Sequence, residues 1–257
     1  MRPFTVLISA GLCFCNPAFA LTLPDCAGSV EIAHATIARV EKNGALILKD
    51  GRAAMLEGVR LPLADGGLPS LAEDALTELR ALALAAPLTL AATPPKEDRY
   101  DRVRVQAFGD TWLQTELLRR GLARVQIAPD RQECAADLYK AEKEARAAGR
   151  GLWAFPAFAL LRGDAVPVSA EGSFAIVEGK VVTSADHDGR VFLDFNEDYR
   201  RGFSAMIAPE DHRSFRNTKP RPEDLAGHII RLRGMVEDYG GKPEIAISNP
   251  AQIEFIN

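Results

Sequence analysis

Asp98-Arg99-Tyr100-Asp101-Arg102 places two carboxylates and two guanidinium groups in one short polar stretch. Arginine forks grip phosphate or carboxylate in a bidentate way, and clustered carboxylates can hold a hard divalent cation. The ordinary alternative is an ion pair, with Asp98 or Glu116 as the partner of Arg102. Arg60 together with Arg102 is a second candidate, a metal-free clamp for a phosphate or carboxylate. Toward the C-terminus, Phe192, Tyr199, Phe203 and Tyr239 could stack on bases while Arg200-Arg201 meets phosphate. Core aromatics and a solvated loop explain the same residues. Tyr239, in the Glu237 to Lys242 loop, is the binding candidate of that set. His187 and His212 lack neighbours at ligand spacing and are expected at the surface.

These residues need a frame. Thr36 to Val40, Ala45 to Lys49 and Ala53 to Val59 are aliphatic runs divided by Lys42-Asn43-Gly44 and Asp50-Gly51, the turn signals of a strand meander. Ser70 with Glu73 has the form of a capping box, and Leu71, Ala75, Leu79 and Leu82 recur at helical spacing until Pro87. Leu88 to Ala92 and Val103 to Phe108 return to strand character. Helices are expected over Trp112 to Gly121 and over Gln132 to Ala148, closed by Gly149. Five strands with a helix between the third and fourth follow the OB plan.

Residues 156–170 contain Pro156, Gly163 and Pro167 without a sustained period and are expected to be a linker. Beyond them lie three more strands, two short helical segments and a last strand pair, Ile229 to Val236 and Glu244 to Ser248. The fold class expected is therefore mainly β with α, an α+β chain of two tandem OB-fold-like five-stranded barrels. Residues 21–155 form the first and residues 171–257 the second.

Met1-Arg2, the apolar run Phe4 to Cys15 and Pro17-Ala18-Phe19-Ala20 form a secretory signal over residues 1–20, so a periplasmic or secreted location is expected. No later stretch reaches the roughly 20 apolar residues of a membrane helix. Removing the signal leaves Cys26 and Cys134, which in an oxidising compartment are expected to form a disulfide; two buried free thiols are the alternative. They lie too far apart in sequence to be a zinc pair. The formal net charge is -4, and residues 168–257 hold 11 Lys or Arg against 15 Asp or Glu. Binding to a nucleic-acid backbone calls for a basic face, and this composition does not supply one.

Asp98-Arg99-Tyr100-Asp101-Arg102-Val103, then Trp112 to Val125, then Leu138 through Ala141-Glu142 to Gly151-Leu152-Trp153, together resemble the staphylococcal nuclease (thermonuclease) family. The resemblance covers about Ala35 to Trp153 and leaves the second barrel outside. It implies a calcium-dependent phosphodiesterase: carboxylates hold the metal, a glutamate activates water, and two arginines stabilise the five-coordinate phosphorus. The family's pattern then departs from this chain at most positions. The first metal carboxylate falls on Gly44 or Ala45. Taking Pro62 as the register, the first arginine falls on Met55, the next metal ligand on Arg60 and the catalytic glutamate on Leu63. Only the second arginine is kept, as Arg102. A rebuilt metal site would have to draw on Asp65, Asp98 and Asp101.

The function expected is an exported, non-catalytic binding or scaffold protein of the envelope, with Arg60, Arg102 and Tyr239 as binding residues, no cofactor, and a protein or small anionic ligand as partner. The alternative is a calcium-dependent nuclease with a rearranged site, in which Arg102 is catalytic.

Overall fold

The computed structural model describes residues 23–63 and 68–256. Residues 1–20, expected to be a signal segment, and Asp65 lie outside the described residues. The chain is mixed α+β, mostly sheet with several helices. It opens with β1 (Ser29–Ala35), β2 (Ile37–Val40), β3 (Leu46–Leu48), β4 (Ala53–Leu56) and β5 (Val59–Arg60), followed by α1 (Pro69–Leu84), β6 (Leu88–Ala92) and β7 (Val103–Phe108). Then come α2 (Leu113–Arg119), β8 (Arg124–Val125) and α3 (Ala135–Ala147).

Six of these strands form one sheet in the order β1-β6-β7-β4-β3-β2. Its two edge strands, β1 and β2, are consecutive in the chain and separated only by Thr36. β5 and β8 form a separate two-stranded ladder, with Arg60 opposite Arg124.

Each helix buries the stripe that its spacing dictates. α1 turns Leu71, Ala75, Leu76, Leu79 and Ala83 inward. The capping box expected at Ser70 does not form: the helix starts one residue earlier, with Pro69 in its first turn, where a missing N–H costs nothing. α3 ends in a Schellman turn, with Gly149 N–H donating to the Arg146 carbonyl and Arg150 N–H to that of Ala145. Gly121 and Gly151 both have positive φ and press backbone to backbone, so that a Cβ on either would collide with the other's segment. Leu152 N–H donates across this contact to the Gly121 carbonyl at 2.8 Å, which holds the end of α3 against the end of α2.

The second half contains β9 (Leu161–Arg162), β10 (Phe174–Lys180), β11 (Thr183–His187), β12 (Arg190–Asp194), β13 (Ser204–Ile207), β14 (Ile229–Tyr239), β15 (Lys242–Ala246) and β16 (Ile253–Phe255). Their order is β11-β12-β13-β15-β14-β10-β9, with β16 also on β14. The stretch expected to be a linker is thus partly built into this sheet: β9 lies parallel to β10, and short 3-10 turns flank it. Val191, Leu193, Ala205, Ile207, Val236 and Ile245 fill the core. Phe195 joins them and packs on Phe203, whereas Phe192 takes the opposite face.

Two links tie the chain together. Cys26 and Cys134 form a disulfide across 108 residues. Glu142 of α3 and Arg233 of β14, each with a side chain 1% exposed, form an ion pair at 2.9 Å. Glu142 also accepts the Val125 N–H at 2.7 Å, and Arg233 donates to the Val125 carbonyl, pairs with Glu254 and lies 4.3 Å over the Tyr139 ring. Burial opposes the Arg233 charge, but Glu142, Tyr139 and Glu254 more than offset it and raise its pKa. Burial pushes the Tyr139 phenol up to about 12, and its hydroxyl donates to the Ala251 carbonyl.

Replacing Arg233 by Met should cost about 3–5 kcal/mol, because Glu142 would remain buried with only the longer contact to Arg146, at 3.5 Å, in its place. Arg233→Met combined with Glu142→Gln should recover much of that loss in urea titrations. Changing both Cys26 and Cys134 to Ser should cost about 2–4 kcal/mol, read as a lower melting temperature.

Candidate functional site

The β2–β3 turn, β4, β5 and the residue after β8 enclose a cleft of about 270 Å³. Its walls are Asn43, Gly44, Met55, Leu56, Val59, Arg60, Leu61, Leu63 and Gln126. The turn is held by Ala45 N–H donating to Asn43 Oδ1 at 3.0 Å and by Gly44 at φ 84°. The ladder of β5 on β8 is extended by Gln126 N–H donating to the Gly58 carbonyl. No carboxylate among the described residues lines this cleft.

Arg60 is the charged group in that wall. Its Nη1 donates to Gln126 Oε1 at 3.4 Å, and its guanidinium lies 5.3 Å from the Phe174 ring. The same ring carries Arg124 at 4.7 Å, and Arg124 Nη1 donates to the Phe174 carbonyl at 2.7 Å. Phe174 begins β10, so the second half supplies the platform on which two arginines of the first half rest. Neither Arg124 nor Phe174 is conspicuous in sequence. The one local signal is an aromatic residue at the start of a strand.

Arg102 is not among the residues that line the cleft with Arg60. It closes its own loop. Its Nε donates to Asp98 Oδ2 at 2.8 Å, its Nη2 lies 2.7 Å from the same oxygen, and its guanidinium stands 5.0 Å from the Tyr100 ring. Asp98 Oδ1 accepts the backbone N–H groups of Tyr100 and Arg102, and Asp101 has φ 58°. Of the two partners considered for Arg102, Asp98 is the one it takes. Burial pushes the Asp98 carboxyl up, but Arg102 and these N–H donors outweigh it and hold it below the usual carboxylate range.

One register step on, Arg104 is clamped by two carboxylates. It meets Glu57 Oε1 and Oε2 at 2.9 Å each and Asp130 at 2.6 and 3.0 Å. Asp130 and Glu57 together raise the Arg104 pKa. Arg131 is spent on backbone and hydroxyl, donating to Thr93 Oγ1 and to the carbonyls of Pro94 and Pro95.

Tyr239, at the end of β14, stands away from both arginines. It is 52% exposed and borders a cavity on the outer face of the second sheet. His187 is exposed, as expected. His212 is half-buried instead, with its Nε2 enclosed in the 3-10 turn Pro209–Phe215. Trp112 is structural: it packs on Phe108 and donates to Gln106 Oε1 at 2.9 Å. A further cleft of about 480 Å³ lies between the halves, with Glu57, Gln126 and Pro129 on one side and Phe174, Met235 and Glu237 on the other.

Calcium needs several anionic oxygens at one point. The walls around Arg60 offer the two amides of Asn43 and Gln126, a glycine, a guanidinium and apolar side chains, so they do not fit the ion. Among the described residues no group of three or more His, Cys, Asp or Glu side chains is placed to hold a metal.

Residues 72–155 match the model of the staphylococcal nuclease homologue family, so the first half of the chain contains a thermonuclease-like, OB-fold-like domain. The match includes Arg102, α2 and α3. It begins after the segment that carries Gly44, Met55, Arg60 and Leu63. No curated protein matches the chain.

Asp98 gives this loop a pH signature. A carboxyl with a lowered folded-state pKa stabilises the protein above its unfolded value of about 4, and that contribution is lost as pH falls through the folded value. Asp98→Asn should therefore cost about 1 kcal/mol at neutral pH, and its stability should converge with that of the parent as pH falls through the folded-state value. Urea titrations at neutral pH and across the acid range check this.

Proposed function

We propose that this chain is an exported, non-catalytic binding or scaffold module of the cell envelope, built from two OB-like barrels. In this reading the first barrel keeps the cleft of a thermonuclease without its chemistry. The observation that carries it is the cleft wall itself: a guanidinium and aliphatic side chains stand where the family's reaction needs metal carboxylates and a general base. Arginine stays charged at any accessible pH and repels a cation. A missing base and a missing metal each remove orders of magnitude of rate.

A pocket with one guanidinium among Met55, Leu61 and Leu63 suits a small ligand with one anionic end and an apolar body, or the matching feature of a partner protein. The formal net charge of -4 argues against a polynucleotide. Export is supported by the N-terminal signal pattern and agrees with the Cys26–Cys134 disulfide. No helix among the described residues is long and apolar enough to cross a membrane.

The test is to incubate the mature chain with single-stranded DNA and with RNA, in calcium, in other divalent metals and in chelator, beside an Arg102→Ala variant. No cleavage above buffer is the expected outcome. Metal-dependent cleavage that disappears in the variant would overturn the proposal and direct attention to Asp65, Asp98 and Asp101 as replacement ligands.

A further inference from the structure

The outer face of the second sheet has a composition of its own. Strand alternation sends Val191, Leu193, Ala205, Ile207 and Ile245 into the core. Phe192, Asp194, Ser204, Met206 and Glu244 therefore take the other face, and the register places Asp194 opposite Ser204 and Ser204 opposite Glu244. On this face a cavity of about 550 Å³ opens between the β11–β12 hairpin, the 3-10 turn after β13 and the end of β14. Phe192, Met206 and Tyr239 supply apolar wall; Asp188, Glu210 and Glu244 supply carboxylates, against the single guanidinium of Arg190.

Glu244 is the informative member. It is 5% exposed yet lines the cavity, and it accepts a hydrogen bond from Ser204 Oγ at 3.3 Å, with no ion-pair partner among the described residues. Asp194, in the same row, is 9% exposed and pairs in register with Ser204. The nearest ammonium, that of Lys242, donates to the Tyr199 carbonyl and lies 5.8 Å over the Phe192 ring. Burial raises the pKa of both Asp194 and Glu244 despite Lys242. Carboxylates withdrawn from water without an ion pair are costly, and the cost is relieved by any cation that enters. Lys242 shows within the same fold that the Phe192 face accepts an ammonium.

We propose that this cavity binds an aliphatic polyamine: ammonium groups meeting Glu244 and the rim carboxylates Asp188 and Glu210, and methylenes lying along Phe192, Met206 and Tyr239. The charge of the wall decides among ligand classes. The three carboxylates outnumber the Arg190 guanidinium and the Lys242 ammonium over Phe192, which disfavours a phosphate chain, whereas a neutral sugar would leave the excess negative charge uncompensated. The site lies in the second half, apart from the Arg60 cleft, and does not depend on how that cleft is used.

The experiment is calorimetric titration of the full mature chain with spermidine in moderate salt. One saturable site is expected. Glu244→Gln should weaken it at least about tenfold and Tyr239→Ala at least about threefold, while Glu223→Gln, on an exposed turn elsewhere, should leave it unchanged. Tyr239 is exposed, so its variant keeps the fold, and circular dichroism verifies this for Glu244→Gln. Titrations with tetralysine and with the N-acetylglucosamine tetramer complete the set. The proposal is overturned if spermidine does not saturate, if neither cavity variant weakens it, or if tetralysine or the neutral sugar binds where spermidine does not.

Discussion

The arrangement of this molecule hangs on a fully enclosed ion pair, Glu142 with Arg233. Two charges withdrawn from water gain little net stability by meeting, because desolvation consumes most of the attraction. What such a pair supplies is position. Glu142 is engaged by Val125 N–H and Arg233 by the Val125 carbonyl, so the last short strand of the first half is fixed by the same contact that fixes β14. Phe174 is set in place with β14, its neighbour in the ladder, and the two arginines of the β5–β8 ladder rest on Phe174. The wall of the Arg60 cleft thus depends on a contact made by a helix whose own sequence belongs to the thermonuclease-like domain.

Under the proposed function, the cleft and the loop of Arg102 would be a catalytic frame that persists without its reaction. The Asp98 to Arg102 segment is stabilised internally, by one carboxylate that receives two backbone N–H groups and a guanidinium. That internal wiring gives the loop a reason to keep its residues whether or not a phosphate is ever present. The cleft has no comparable reason to keep carboxylates. Gathered at one point without a metal, they would repel one another and favour replacement by neutral or apolar groups.

Much of the first half was legible because its periods are clean. Leu71, Ala75 and Leu79 mark α1 and Gly149 ends α3, but the four-residue spacing of Glu142 and Arg146 points to the solvated face, and Glu142 is buried instead. β1 was missed because Ser29 to His34 mixes Val30, Ile32 and Ala33 with polar residues and buries none of them fully, and it is a strand by virtue of pairing with β6. β11, β9 and β16 escaped for related reasons: the first is a polar edge strand, and the others are two and three residues long. At the site, Pro62 and the Asp98 to Arg102 motif were visible because their meaning is local. The pairing of Arg124 with Phe174 and of Glu142 with Arg233 spans 50 and 91 residues, and no local pattern announces which of many arginines a buried glutamate will choose.

Those separations impose an order in time. A chain that enters an oxidising compartment N-terminus first presents Cys134 to Cys26 before residue 233 arrives, so the covalent ring can close around the first sheet while Glu142 still faces water on the bare side of α3. Water and Arg146, one turn along the same helix, suit the carboxylate, so the incomplete protein is hydrated at the very spot that later becomes its most enclosed. Only the arrival of β14 converts that hydrated patch into a seam. The charge that makes the finished interface expensive keeps the unfinished one from sticking to the wrong neighbour.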